Sequence, residues 1–337
     1  MENVNPFLPS AHAPTVHHSR LLRQANLVGR MPPASFFVTS ALFHYLGPSL
    51  AVLLFVHVGP IGVAWLRIAT AAAVFAVWRK PWRIWSRASG SQRWTFLALG
   101  SVLAGMNFLF YLAIDRLPLA TVGAIEFLGV IVLAAIGTRT WRNALALALA
   151  IAGVASLTEV RLAGEVWGFV FAFGNCVGFA LYIVLGHRVA NGRGRRADGE
   201  GGADVVVGGG VGSAATAGSG SLLRGIDGLG LSMLIAAIVA TPFAVGSALP
   251  AFTNPLWLLW GVGVGIFSSV IPYALDQLAM ARLSRATFAV MLAILPAMAT
   301  VLGMLVLHQV PTIQDLVGIS LIISGVAVRQ IGDQRQR

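Results

Sequence analysis

Arg67 and Glu126 are ionisable side chains set inside long apolar runs, so any chemistry is first sought there. An unpartnered charge near the centre of a bilayer costs about 2.5–3.5 kcal/mol on insertion scales, so one kept there has a partner or a task. Arg67 lies about seven residues in from the outer end of its run, and Glu126 about eight from the outer end of its own. At a rise of about 1.5 Å per residue, both sit ~10–12 Å deep. Asn107 lies eight residues before Asp115, which marks the outer end of another run, so it is level with them. Asn107, Tyr111 and Asp115 recur at i, i+4 and i+8 and share one helix face. One cation, one anion and one amide at a single depth suit a zwitterion, its carboxylate meeting Arg67 and its ammonium Glu126. The same two side chains could instead pair with each other, which would satisfy both charges and specify helix packing.

Other polar residues form a second tier. Asn175, Tyr182 and Tyr273 are candidates to line a cavity, and interhelical hydrogen bonding explains each equally well. Asp276 follows Pro272, a residue that could expose backbone carbonyls around it. It is read either as a gating or proton-relay group or as an interfacial acid facing Arg282 or Arg285. His44 and Tyr45 stand beside Gly47-Pro48, where a break in the first run is expected; His44 is a further candidate proton carrier. Gly261, Gly263 and Gly265 read as sites of close helix packing, since a nucleotide fingerprint would need a strand before them.

Ten apolar runs must position these groups: 35–57, 60–78, 94–114, 118–138, 141–158, 165–186, 229–249, 257–281, 286–307 and 312–331. Each approaches the ~20 residues a helix needs to cross ~30 Å of hydrocarbon. Of 23 Lys and Arg, 20 fall in the two terminal segments and the even-numbered loops or within three residues of them. The odd-numbered loops carry only Arg116 and Arg161. By the positive-inside rule both termini are cytoplasmic in an inner or plasma membrane. With 57% hydrophobic and 10% charged residues the chain is no ordinary soluble domain. The net charge of +11 is explained by topology, which removes the argument for nucleic acid. Cys176 is the single cysteine, so no disulfide framework is expected. Residues 1–33 read as a disordered cytoplasmic tail rich in Pro, His and Arg, without a cleaved leader. Lys80 is the only lysine, so the glycine runs near Gly208 cannot form a phosphate-binding loop. Uphill work must then draw on an ion gradient or a partner.

The fold class expected is all-α integral membrane, ten transmembrane helices in two inverted five-helix repeats. Arg116-Leu117-Pro118-Leu119-Ala120-Thr121 opens the fourth run, and Arg282-Leu283-Ser284-Arg285-Ala286-Thr287 opens the ninth. Gly153-Val154-Ala155 in the fifth matches Gly325-Val326-Ala327 in the tenth. Two tandem halves of five spans each must sit in opposite orientations, with a substrate site near midplane between them. The halves are 34–158 and 165–331. The second is interrupted by 190–226, read as a flexible cytoplasmic linker because it holds twelve glycines and few large apolar residues. Residues 332–337 form a short cytoplasmic tail.

Residues 35–331 resemble the drug/metabolite transporter superfamily in its EamA-type ten-helix form, with the threonine/homoserine exporters as the nearest subgroup. The resemblance rests on Gly59-Pro60, Leu66-Arg67, the stretch Asn107-Phe108-Leu109-Phe110-Tyr111-Leu112-Ala113 running into Arg116-Leu117-Pro118, and Glu126-Phe127-Leu128-Gly129. It extends to Leu181-Tyr182-Ile183 with Gly186, and to Pro272-Tyr273 with Asp276. The chain departs at Val130, where that family often has Pro, and at Leu295-Pro296, where Glu-Pro is common; a coupling scheme needing two intramembrane acids is thereby put in doubt. The resemblance implies secondary export of a small metabolite such as threonine or homoserine, by proton-coupled alternating access. Efflux of drugs or other hydrophobic cations is the rival within transporters. A membrane-embedded enzyme would need a catalytic constellation, and no H-E-x-x-H, G-x-S-x-G or metal-spaced His/Cys cluster is present. A channel would need repeated polar rings, which are not evident. No cofactor or metal is expected. The partners expected are a small-molecule substrate, protons and the lipid bilayer, with a homodimer left open.

Overall fold

A computed structural model describes residues 33–137, 141–159, 165–191, 219–272, 275 and 294–335. Among these the regular elements are all helical. They are α1 (Pro33–Val58), α2 (Pro60–Arg79), a short α3 (Trp82–Arg87), α4 (Gly90–Ile114), α5 (Leu119–Gly137) and α6 (Trp141–Glu159). Then come α7 (Val166–Asn191), α8 (Ser219–Thr253), α9 (Pro255–Gly265), a π-helical turn over Ile266–Val270, α10 (Ile294–Leu307) and α11 (Ile313–Arg335). Five helices are long and apolar enough to cross a membrane, and five shorter apolar segments fill the remaining expected positions. Among the described residues, each of the ten apolar runs of the sequence contains an apolar helical segment. α8 begins at Ser219, within the stretch expected to be linker.

The breaks between helices follow from local chemistry. Gly59 takes φ +72°, a conformation that suits a residue without Cβ, and Pro60 then starts α2 with its φ already helical. Ser89 and Gln92 form a reciprocal capping box at the start of α4, satisfying two N–H groups there. Thr312 and Asp315 repeat the device before α11. α1, by contrast, runs through Gly47-Pro48 without interruption, so the expected break is absent. Pro48 has no N–H to give the preceding turn. That leaves the His44 carbonyl without its helical donor; close by, Ser49 Oγ donates to the Tyr45 carbonyl at 2.8 Å, and Trp260 Nε1 donates to the Leu50 carbonyl at 3.1 Å. Gly47 is required for another reason, because a Cβ there would stand 2.3 Å from the Ser268 Cβ.

Lipid is as apolar as leucine, so helices in a membrane associate where small residues let backbones approach. The two glycines matched between the fifth and tenth runs show this reciprocally. A Cβ on Gly153 would lie 2.6 Å from the Gly318 carbonyl oxygen, and one on Gly325 2.8 Å from the Ala146 oxygen. Each glycine faces the other's helix, and α6 packs on α11. The same exchange recurs elsewhere: Gly47 of α1 meets Ser268, while Gly178 of α7 meets Met106 of α4. α2 packs on α8 and α5 on α10. Counting the ten apolar segments in order, each of these pairings maps onto itself or another when five is added or subtracted. Outside, the bundle is apolar, with Trp78, Trp94, Trp141 and Trp167 exposed near helix ends, as in the aromatic belts of membrane proteins.

Candidate functional site

Arg67 is the eighth residue of α2, Glu126 the eighth of α5 and Asn107 the eighth from the end of α4. All three are buried. Their partners differ from the simplest expectation. Arg67 and Glu126 do not form an ion pair: among the described residues the pairs are Arg79–Asp227 and Arg116–Asp115. Glu126 instead lies within electrostatic reach of Arg67 without touching it.

Arg67 is held by the irregular stretch after α9. Its Nε donates to Ser269 Oγ at 2.9 Å and an outer nitrogen donates to the Ser268 carbonyl at 3.2 Å. In a regular helix that carbonyl would accept from the N–H of residue 272. Residue 272 is proline, which has none, so the guanidinium takes the carbonyl that proline leaves open. The π-turn shifts the same backbone locally, a feature often found at functional sites. The guanidinium also lies over the Tyr111 ring, 5.6 Å from its centroid. Gly265 permits the approach, since a Cβ there would meet Thr70 at 2.6 Å and the Arg67 carbonyl at 3.1 Å. Gly261 abuts Leu66, whereas Gly263 faces open space, so two of the three glycines in this segment serve close packing.

Around Glu126 the polar groups lack protein partners. The side-chain amide of Asn175, fully buried on α7, lies beside the Glu126 carboxyl with neither of its polar atoms hydrogen-bonded. The Tyr45 hydroxyl reaches over Gly123, one turn before Glu126, and makes no hydrogen bond. The Tyr111 hydroxyl stands near Arg67 and Ser268 and is likewise unbonded. Buried polar atoms without partners are costly in a protein, at roughly 1–3 kcal/mol each, and here three side chains that carry them lie near the two charges.

The remaining candidates divide. Asn107 donates to the Leu103 carbonyl at 2.7 Å and so is tied to its own helix. Asp115 turns to Arg116 at the helix end and is partly exposed, so the polar face drawn through Asn107 and Tyr111 stops short of it. Tyr182 is buried two turns beyond Asn175 and stacks on Phe179. His44 stands edge-on to Tyr45 and within reach of Arg67's charge. Tyr273 and Asp276 lie outside the described residues. Sequence reasoning passed over Ser268 and Ser269; a serine pair four residues before a proline in an apolar span was the available signal.

A ten-helix bundle with a charged, under-bonded polar centre is a multi-pass membrane transporter in kind. Residues 214–329 match the EamA-like transporter family. The chain is 31% identical over 281 residues to the threonine/homoserine exporter RhtA of Escherichia coli K12, covering 82% of this chain and 84% of that one. The exporter of the same name from Salmonella typhimurium LT2 matches to the same extent. A solved crystal structure superposes with a TM-score of 0.53 at 19% identity, covering 90% of this chain and 98% of its own, a likeness of fold alone. The chain belongs to the EamA-like family of the drug/metabolite transporter superfamily. It is a transporter of a small molecule and not an enzyme.

Proposed function

We propose that this protein exports a small zwitterionic amino acid of the threonine or homoserine type across the inner membrane, coupled to protons, by alternating access. The observation that carries the reading is a pair of buried opposite charges, Arg67 and Glu126, that form no ion pair with each other and lie near the unbonded Asn175 amide and Tyr45 and Tyr111 hydroxyls. An α-carboxylate suits Arg67, whose planar fork already donates to Ser269 and Ser268 and would exchange those acceptors for carboxylate oxygens. The ammonium suits Glu126, and the substrate hydroxyl suits Asn175. A hydrophobic cation would find Glu126 but would leave Arg67 repelling it, which argues against drug efflux. The names of the matching exporters point the same way.

The remainder of the reading concerns architecture. The two halves, 34–158 and 165–331, are proposed to be inverted repeats joined through the glycine-rich 190–226 stretch, with both termini cytoplasmic. The reciprocal glycine contacts of α6 with α11, and of Gly47 and Gly178, support a pseudo-two-fold relation between them. Substrate, protons and surrounding lipid are the proposed partners, with a homodimer compatible. In inverted vesicles with an acid interior, labelled threonine or homoserine should accumulate and be released by a protonophore. No accumulation would overturn the substrate; accumulation indifferent to the protonophore would overturn the coupling.

A further inference from the structure

The turn that joins α2 to α4 has two faces of different chemistry. Residues 78–94 carry five basic side chains, Arg79, Lys80, Arg83, Arg87 and Arg93, with four tryptophans among them and no acid. The positive-inside rule accounts for charge at this end of the bundle, but it asks for no particular structure. Here the turn is ordered around the short helix α3. Pro81, Ile84, Trp85 and Ala88 recur at i, i+3, i+4 and i+7, the spacing of one helix face. That face turns inward. Ile84, Trp85 and Ala88 pack with Phe96 of α4 and with Leu231 and Ile235 of α8, and Pro81 lies against Gly230.

The other face is exposed and basic. Trp82 and Arg83 are exposed, as are Lys80 before them and Arg93 after them. Trp78 and Trp94, at the ends of α2 and α4, are exposed as well. Tryptophan rings at helix ends settle at the level of lipid headgroups, and the charges beside them stand at the same level. Asp227 neutralises Arg79 in a pair that ties α2 to α8. Among the described residues Lys80, Arg83 and Arg93 form no ion pair. Arg93 lies over the Trp85 ring, 5.6 Å from its centroid, which orients the guanidinium plane and leaves its N–H edge for an acceptor. Lys80 closes α2 in the left-handed region at φ +50°, its N–H donating to the Ala76 carbonyl. Glycine takes that conformation freely, whereas a residue with a Cβ is strained in it. A strained position that carries a lysine points to a use for its ammonium.

We propose that the outward face of residues 78–94 binds the headgroup of an anionic phospholipid in the adjoining leaflet, its phosphodiester meeting Lys80, Arg83 and Arg93 and its upper acyl carbons lying along the exposed tryptophans. Charge complementarity selects an anionic lipid over a zwitterionic one, since each basic side chain at a membrane surface favours anionic lipid by roughly fivefold. A soluble polyanion would meet the charges and leave the rings in water. The seat lies where α2 and α4 meet the start of α8, beside the Arg79–Asp227 pair. It does not depend on which molecule is exported.

Lys80 is the chain's only lysine, so its amine serves as the probe. Full-length protein is placed in nanodiscs of phosphatidylcholine with a rising share of phosphatidylglycerol and treated with an uncharged amine-acylating reagent. Mass spectrometry reads modification at residue 80. The rate should fall saturably, by about fivefold or more, as phosphatidylglycerol rises. Arg83→Gln and Arg93→Gln, both at exposed positions, should each raise the share needed for half protection about fivefold. Gly168 of α7 meets Leu117 and Gly178 meets Met106, so the exposed Arg188 in the last turn of α7 lies toward the start of α4. Arg188→Lys therefore adds a reference amine that reports the diffuse charge of the same leaflet, and residue 188 should be protected far less than residue 80. Soluble glycerol phosphate should protect neither. A rate indifferent to phosphatidylglycerol, equal protection at residues 80 and 188, or an unshifted response in either arginine variant would overturn the proposal. Protection by glycerol phosphate would make the face a soluble-anion site. Protection already complete in pure phosphatidylcholine would mean that a second copy or another segment of this chain covers the lysine. Either result overturns the assignment to lipid.

Discussion

Arg67→Lys keeps the positive charge that Glu126 feels and removes the shape that holds it. In the structure the guanidinium makes two hydrogen bonds on different nitrogens, to Ser269 Oγ and the Ser268 carbonyl, and lies over Tyr111. An ammonium on a flexible stem has no planar fork to reproduce this arrangement. A hydrogen bond to a charged group contributes about 1.5–3 kcal/mol, so losing one and loosening the other removes roughly that much from substrate held in the same fork. At about 1.4 kcal/mol per tenfold, the ratio of Vmax to KM for labelled threonine in inverted vesicles should fall between about tenfold and a hundredfold. The direct Coulombic term with Glu126 is smaller in what it can decide. Their nitrogens and oxygens lie beyond 4 Å, so it stays below about 4 kcal/mol at an effective dielectric of 20, and Lys retains much of it. Detergent-solubilised yield and thermal stability should drop far less than transport. Wild-type export by Arg67→Lys would refute the fork argument and leave Arg67 as a simple counter-charge. Equal losses of yield and transport would make it scaffold.

Further outcomes follow from the same geometry. Glu126→Gln keeps volume and removes charge, so accumulation of labelled threonine should be abolished while membrane insertion, read by immunoblot, stays normal; active export by Arg67→Met/Glu126→Gln together would remove both from the binding site. Gly153→Leu or Gly325→Leu drives a side chain into the opposite helix backbone and should cost roughly 1–3 kcal/mol or more of overpacking, seen as lowered folded yield in size-exclusion profiles. Deleting 195–215, which stops short of α8, should leave export within about twofold, because that composition offers little to pack. A cysteine placed in that stretch should resist an impermeant maleimide in intact cells and react in inverted vesicles; the reverse pattern would invert the proposed topology.

The sequence by itself determined the number, positions and class of the helices. Apolar runs of membrane length, broken by Gly59-Pro60, Ser89 and Thr312, leave the backbone few alternatives in a medium that cannot hydrogen-bond it. It also set how far along their helices Arg67, Asn107 and Glu126 lie, because helical rise converts residue number directly into distance from a helix end. The matched glycines at 153 and 325 were visible too, though only packing shows each pressed against the other's helix. Height along a helix says nothing of rotation or neighbours, and those the tertiary structure decided. It sent Arg67 to Ser268 and Ser269, 201 and 202 residues away, rather than to Glu126. It carried α1 straight through Pro48, where a serine and a tryptophan side chain donate to nearby carbonyls. It tied Asn107 to its own helix and left Asn175 and the Tyr45 and Tyr111 hydroxyls unbonded near the two charges.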